Sequence, residues 1–121
     1  MTDQYWEITW RGENIMHLAL KGYVTLDACI RLNTSMERFL GDQPYPIDII
    51  VDLTHTRILP PLAQLQHHLT FVENPLCEHF ALICNTSPYL QKLTSYLFNK
   101  TSYRNVYSVE QAIEFFSSTR V

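Results

Sequence analysis

The chain has 121 residues, 46% of them hydrophobic, which is the size and apolar content of a single domain. Its formal net charge is -3 and it has only nine Lys and Arg residues, which argues against a general affinity for nucleic-acid phosphates. The N-terminal MTDQYWE lacks the features of a signal peptide, and no stretch approaches the roughly 18 apolar residues that span a bilayer. We therefore expect one cytoplasmic domain over residues 1–121.

Three cysteines, Cys29, Cys77 and Cys84, form neither a paired framework nor a common zinc spacing. We expect them to be reduced and mostly packed.

The first elements in chain order are two strands and a helix. Residues 5–10 and 14–24 alternate with period two around a turn at residues 11–14, which predicts an antiparallel hairpin. Thr25 is a predicted N-cap for a helix that carries Asp27 in its first turn and ends at Gly41.

Residues 46–54, PIDIIVDLT, predict a buried central strand. Ile47, Ile49, Val51 and Leu53 alternate onto one face, with Ile50 on the other. An unpaired charge inside a sheet is costly, so we place Asp48 at the beginning of this strand and Asp52 at its end. From there the Asp52 carboxylate can accept amide hydrogens of a turn at residues 53–56, which includes Thr54.

A loop at residues 55–59 is predicted to lead into a second helix, with Pro60 and Pro61 in its first turn and Asn74 and Pro75 as its stop. The predicted buried stripe consists of Leu62, Leu65, Leu69 and Val72. The opposite face at 100° per residue consists of Gln64, His67, His68 and Phe71.

The remaining chain predicts a strand at residues 79–84, a helix capped by Ser87 and Pro88, a short strand at residues 104–107 and a last helix opened by Ser108. The third helix carries Leu90, Leu93, Thr94, Leu97 and Thr101 on one face, and the fourth carries Val109, Ala112, Ile113 and Phe116 inward. The order β-β-α-β-α-β-α-β-α predicts an α/β fold with a mostly parallel sheet and an N-terminal antiparallel hairpin.

Three stretches carry a resemblance to a known family: IIVDLTHTRILPPL at residues 49–62, ICNTSPYLQKLTSYLF at residues 83–98 and YRNVYSVEQAIEFF at residues 103–116. With the element order, they resemble the STAS domain, and more closely the SpoIIAA-like proteins related to bacterial anti-sigma-factor antagonists. The resemblance covers essentially the whole chain. It implies regulation and signalling by protein contact, with a kinase-like anti-sigma factor as one possible class of partner.

In antagonists of this type, a Ser or Thr at the start of the second helix is phosphorylated. Here Pro60, Pro61 and Leu62 occupy that position, so the phosphoacceptor is absent. The family's partners dock around this helix and the preceding loop. The partner-binding residues that the resemblance and the helical spacing imply are His55, Arg57, Pro61, Gln64, His67, His68 and Phe71. For Phe71 the alternative is packing under residues 73–78.

Catalysis and metal binding are not expected. No nucleophile motif or Gly-rich phosphate loop is present. Asp48 and Asp52 lie roughly 13 Å apart along a strand, too far for a shared-proton pair. Neighbouring His67 and His68 point about 100° apart on a helix. Residues 77–79, Cys-Glu-His, are interpreted as a turn, and we expect no metal or cofactor.

Two further alternatives stay open. Tyr89, Tyr96 and Tyr103 recur every seven residues, which is compatible with the rim of a core, a homodimer surface or, least favoured, stacking on single-stranded nucleic acid.

Phe39, Phe98 and Phe115 fall off or at the edge of their helical stripes. This apolar surplus leaves a carrier or sensor of a small apolar ligand or lipid as the alternative function.

Overall fold

The computed structural model describes residues 3–84 and 87–119. The elements are β1 (Trp6–Trp10), β2 (Ile15–Tyr23), α1 (Leu26–Gly41), β3 (Ile47–Ile58), α2 (Leu62–His68), a 3₁₀ helix (Thr70–Glu73), β4 (Cys77–Ile83), α3 (Pro88–Leu97), β5 (Tyr103–Val106) and α4 (Val109–Thr119). The predicted order of strands and α-helices is confirmed, with the 3₁₀ helix added after α2. None of the helices in the described ranges is long and apolar enough to cross a membrane.

Five strands form one sheet in the order β1-β2-β3-β4-β5. The strands β1 and β2 are antiparallel, and every other neighbouring pair is parallel. The hairpin turn contains Gly12 at a φ of 119°, a left-handed conformation that favours glycine. The Arg11 amide closes this turn by donating to the carbonyl oxygen of Ile15 at 2.9 Å. The predicted α/β architecture is thus confirmed.

The two faces of the sheet are covered unequally. One face packs against α1, α2, the 3₁₀ helix and α3 to form the larger core, which includes Ile47, Ile49, Val51 and Leu53 of β3. The other face packs against α4 in a smaller cluster of Ile50, Ala81, Ile83, Val106, Ala112, Phe115 and Phe116. The predicted alternation along β3 therefore separates two cores.

The end of β3 differs from the prediction. Residues 55–58, predicted as a loop, continue the strand to Ile58 because β2 stays beside them as far as Tyr23. Two register shifts accommodate this pairing, between Ala19 and Lys21 and between Gly22 and Tyr23. The pairing of β3 with β4 ends earlier, at Asp52 and Ile83.

The second helix is shorter than predicted, and its outward face is partly wrong. α2 ends at His68, and the chain passes through Leu69 into the 3₁₀ helix. Asn33 of α1 accepts the amide hydrogen of Phe71 at 2.9 Å and donates to the Thr70 hydroxyl at 2.9 Å. This change of helix type rotates Phe71 into the larger core, where it is 1% exposed.

Tyr89, Tyr96 and Tyr103 do not form a row along one helix. The helix α3 ends at Leu97, so Tyr103 begins β5 and is half-buried against the core. Tyr89 and Tyr96 are exposed. Thr101 likewise lies beyond α3, where its hydroxyl donates to the carbonyl oxygen of Phe98. Only Tyr89 and Tyr96 thus remain together on α3, and the homodimer alternative stays a prediction.

Candidate functional site

The feature that distinguishes this sheet is the end of β3 that projects beyond β4. We call residues 53–58 the β3 extension. It is paired with β2 on one side, whereas no strand of the described ranges pairs with it on the β4 side. It leads through residues 59–61 into α2, so the predicted partner-binding residues begin on a strand instead of a loop.

Three large side chains on or next to the extension are exposed. Tyr23 is 63% exposed, Ile58 is 49% exposed and Tyr89 is 46% exposed. Tyr23 and Ile58 are register partners across β2 and β3. The Tyr89 hydroxyl donates to the Leu59 carbonyl oxygen at 3.1 Å and lies 3.3 Å from the Leu59 amide nitrogen, which joins α3 to the end of β3. Tyr23 and Ile58 are thus neighbours on adjacent strands, and Tyr89 is bonded to the residue that follows Ile58.

The structure places the other residues predicted to bind a partner on β3 and on α2 with the residue before it. His55 and Arg57 are exposed on the β3 extension, and Pro61 and Gln64 are exposed at the start of α2. His67 is exposed and His68 is half-buried at the other end of α2, where their rings pack edge to face with centroids 4.7 Å apart.

Phe71 does not belong to this surface. Its side chain fills the larger core, so the expectation that it faces solvent is wrong. The alternative, that Phe71 is packed inside, is the correct one, although it packs within the core and not merely beneath a loop.

Sequence reasoning missed Tyr23 and Ile58. Tyr23 ends a predicted strand and Ile58 lies in a predicted loop, so neither attracted attention. A signal was present: the β-branched and apolar residues continue through Ile58 and Leu59, which is typical of a longer strand. We define the extension surface as Tyr23, His55, Arg57, Ile58, Pro61, Gln64 and Tyr89.

A chain of polar contacts lies at the base of the extension. Arg11 donates to Nδ1 of His17 from Nη2 at 3.2 Å and from Nε at 3.4 Å. Because Nδ1 then accepts, the ring hydrogen is on Nε2, which donates to Oδ2 of Asp52 at 2.9 Å. The other carboxylate oxygen of Asp52 accepts the amide hydrogen of Thr54 at 3.0 Å and also the Thr54 hydroxyl.

These contacts control the charge of Asp52. Burial alone would raise its pKa, but the hydrogen bonds from His17 and Thr54 outweigh burial and lower the pKa to about 2. The predicted acceptance of a backbone amide by Asp52 is confirmed at Thr54. Its partner His17 was not foreseen. The predicted position of Asp52 at the end of the strand and the predicted turn at residues 53–56 are wrong, because β3 continues to Ile58.

A second carboxylate and histidine pair lies near the beginning of β3. Asp48 is fully buried, and its Oδ1 lies 2.9 Å from Nδ1 of His79 on β4. Glu78 is close enough that one ligand atom from each of the three residues lies within 4.8 Å of the others. The expected location of Asp48 is confirmed. Residues 77–79 lie in β4, so their interpretation as a turn is wrong.

The surroundings of His17 and of the three cysteines limit what these side chains can do chemically. Both ring nitrogens of His17 are engaged, so it presents no free base to a substrate. Burial raises the pKa of Cys29 to about 11 and, with a contribution from Glu37, that of Cys77 to about 12. Burial also raises the pKa of Cys84. Thiols of this kind are poor nucleophiles at neutral pH.

The three phenylalanines that suggested an apolar surplus pack inside the fold. Phe98 is buried in the larger core, Phe115 is buried in the smaller cluster, and Phe39 packs against the larger core. The apolar cavity between sheet and helices, bounded by Leu53, Leu65 and Phe71 among others, has a volume of about 30 Å³.

Comparisons with known proteins concern the fold. No protein-family model matches the chain, and no curated protein matches it. A solved structure of an uncharacterised DUF3478-family protein from Shewanella loihica PV-4, described as having a SpoIIAA-like fold, is similar. The TM-score is 0.67 at 14% identity, and the match covers 95% of this chain and 97% of that chain. The resemblance is thus confirmed at the level of fold: this chain has an α/β SpoIIAA-like fold.

Proposed function

We propose that this protein is a non-enzymatic regulatory module that acts through protein contact at the extension surface. The observation that carries the proposal is the exposure of the register partners Tyr23 and Ile58, and of Tyr89, which is bonded to Leu59, on a segment that also exposes His55 and Arg57. Exposed apolar side chains rimmed by polar ones are typical of contact sites. Tyrosine and arginine are also enriched in protein interfaces.

The energetics suit a modest, reversible interface. Fully burying a large apolar side chain contributes about 1.5 to 3 kcal/mol, so Ile58 and Tyr23 can serve as two anchors. Tyr89 is already oriented by its hydrogen bonds to the Leu59 backbone, which reduces the entropy it loses on binding.

Regulation of this surface cannot use a phosphate at the start of α2. Pro60 and Pro61 precede the helix there, and Pro61 provides no side-chain cap. The SpoIIAA-like fold suggests an anti-sigma-factor-like kinase as one partner class. In that case we infer that recognition follows the shape and charge of the surface and does not depend on a phosphorylation state.

The ligand-carrier alternative gains no support from the cavity. A volume of about 30 Å³ is on the scale of one water molecule, whereas an engineered apolar cavity that binds benzene has a volume of roughly 150 Å³. The aromatic residues that suggested spare apolar volume contribute instead to the two cores.

The test is quantitative affinity capture from an extract of the source organism, with bound proteins identified by mass spectrometry. Ile58→Glu is compared with wild type and with Ile30→Glu, a matched control on α1 whose side chain is 39% exposed. We expect both variants to unfold near the wild-type temperature, because both residues are exposed on the surface.

A partner enriched on wild type and on Ile30→Glu, but lost on Ile58→Glu, supports the proposal. Capture that survives Ile58→Glu would exclude this surface. If none of the three baits enriches a protein, the contact function itself is wrong.

A further inference from the structure

We propose that the partner contributes an extended, acidic peptide segment that adds as a strand beside the β3 extension. This inference deepens the proposed function and rests on it, because it specifies the chemistry and the conformation of what the extension surface binds.

The conformation follows from the side of the extension on which no strand of residues 3–84 and 87–119 pairs with it. The strand β3 continues for six residues, 53–58, after its last register pair with β4 at Asp52 and Ile83. On the other side β2 remains paired through Tyr23 and Ile58. An exposed strand edge carries backbone groups that an extended peptide can pair with, and this is a recurring mode of peptide recognition.

The surface beside this edge is polar along its length. A groove of about 460 Å³ is lined by four successive residues, Thr54, His55, Thr56 and Arg57. A helix docking there would need an apolar groove for its own apolar face, whereas a strand obtains its affinity from main-chain hydrogen bonds. Beyond these four residues, the exposed side chains of Ile58 and its register partner Tyr23 provide apolar contact for one anchoring residue.

The acidic character proposed for the partner segment follows from the absence of acidic residues in and after the extension in the sequence. The chain has twelve Asp and Glu residues, yet none occurs between residues 53 and 72. Arg57 is exposed in this segment, and no ion pair of Arg57 occurs within the described ranges. Asp52, which precedes the segment, is bound by His17 and Thr54.

The carboxylate in the first turn of α1, which follows β2 in the chain, is also compensated. Asp27 forms an ion pair with Arg31 one helical turn later. The β3 extension thus carries Arg57 and no acidic residue on a protein whose net charge is -3, and complementary charge favours an acidic segment over a basic one.

The test selects phage-displayed random 12-residue peptides on the immobilised full chain. We expect enriched peptides in which Asp or Glu alternates with β-branched residues. Binding of one selected peptide should weaken by about tenfold or more on Arg57→Glu, and by much less on Arg38→Glu, an exposed arginine on α1. A version of that peptide with Lys replacing the acidic residues should bind Arg57→Glu better than wild type.

The extended conformation of the bound segment is tested with the same selected peptide. Methylation of alternate backbone nitrogens removes main-chain donors without changing charge, so strand addition predicts loss of binding for one of the two alternating patterns. Amides within residues 53–58 should also gain hydrogen-exchange protection when the unmodified peptide binds.

The outcomes separate this inference from the proposed function. Enriched peptides that are neutral or basic, or that bind as helices, overturn the acidic-strand inference, as does the enrichment of no peptide at all. In each of these cases the capture experiment with Ile58→Glu still decides whether the extension surface binds a protein.

Discussion

Two histidine and carboxylate pairs connect β3 to its neighbours on the face covered by α4. His17 of β2 binds Asp52, and His79 of β4 lies within hydrogen-bond distance of Asp48, which is 0% exposed. A buried carboxylate without a partner would cost several kcal/mol, so each pair favours the register that brings its partners together. The pairs flank Ile50, which packs against α4.

The lowered pKa of Asp52 predicts acid sensitivity. Its carboxyl has a pKa of about 2 in the folded protein against 3.8 ordinarily, so the unfolded chain takes up this proton first as pH falls. The lowered pKa of Asp52 stabilises the folded state by about 2 kcal/mol. This stabilisation is present above about pH 4 and is lost between about pH 4 and pH 2. Urea unfolding of Asp52→Asn should therefore show a smaller loss of stability over that interval than wild type.

The control for this measurement is Glu114→Gln, which changes an exposed carboxylate on α4. It should retain the wild-type acid dependence. An unchanged acid dependence in Asp52→Asn would show that the hydrogen bonds of His17 and Thr54 do not control this carboxylate.

The buried thiols predict low chemical reactivity. Cys29, Cys77 and Cys84 are free and buried, and burial raises the pKa of each. Iodoacetamide at pH 8 should leave the native protein unmodified and label all three in denaturant, as counted by intact mass. Rapid native labelling of any one of them would contradict its buried position.

At the scale of elements, the transition from α2 to the 3₁₀ helix decides which side chain reaches the core. A continuous helix would expose Phe71. The break at Leu69, with Asn33 bonded to the Phe71 amide and the Thr70 hydroxyl, places Phe71 beside Leu65 in the larger core instead. A contact with α1, 38 residues earlier in the chain, thus supports the local change of helix type.

Phe71→Ala should lower the free energy of unfolding by about 3 to 5 kcal/mol, because it leaves a cavity in the core. His67→Ala, at an exposed position on α2, should change it by only about 0.5 kcal/mol. Urea denaturation of the two variants measures both values. A loss below about 1 kcal/mol for Phe71→Ala would indicate that this side chain is not in the core.

At the scale of the whole molecule, the two cores differ in size. The larger one joins β1 to β4 with α1, α2, the 3₁₀ helix and α3, whereas the smaller one depends on α4 alone. Local opening is favoured where few apolar contacts are lost. We therefore expect α4 to separate from the sheet at a lower free energy than global unfolding.

Native-state hydrogen exchange should show lower protection in α4 than in α1. Phe116→Ala, which removes a fully packed ring from the smaller core, should accelerate exchange in α4 more than in α1. Equal protection in the two helices, or equal acceleration, would mean that the cores open together.

The sequence by itself determined the features that depend on neighbouring residues. The period-two alternation of β3 predicted its two faces, and Thr25, Ser87 and Ser108 were recognisable helix caps. Each of these hydroxyls accepts an amide hydrogen three residues later. Such signals can be read directly, because a strand face and a helix cap arise within a few residues. The order of the elements then indicated the fold.

Only the tertiary structure decided the features that depend on distant partners. His17 and Asp52 are 35 residues apart, and His79 and Asp48 are 31 apart, so no local pattern could pair them. The length of β3 depends on how far β2 runs beside it, and the burial of Phe71 depends on Asn33. The candidate site lies where these long-range contacts end, because β2 pairs with residues 53–58 on one side whereas no described strand pairs with them on the other.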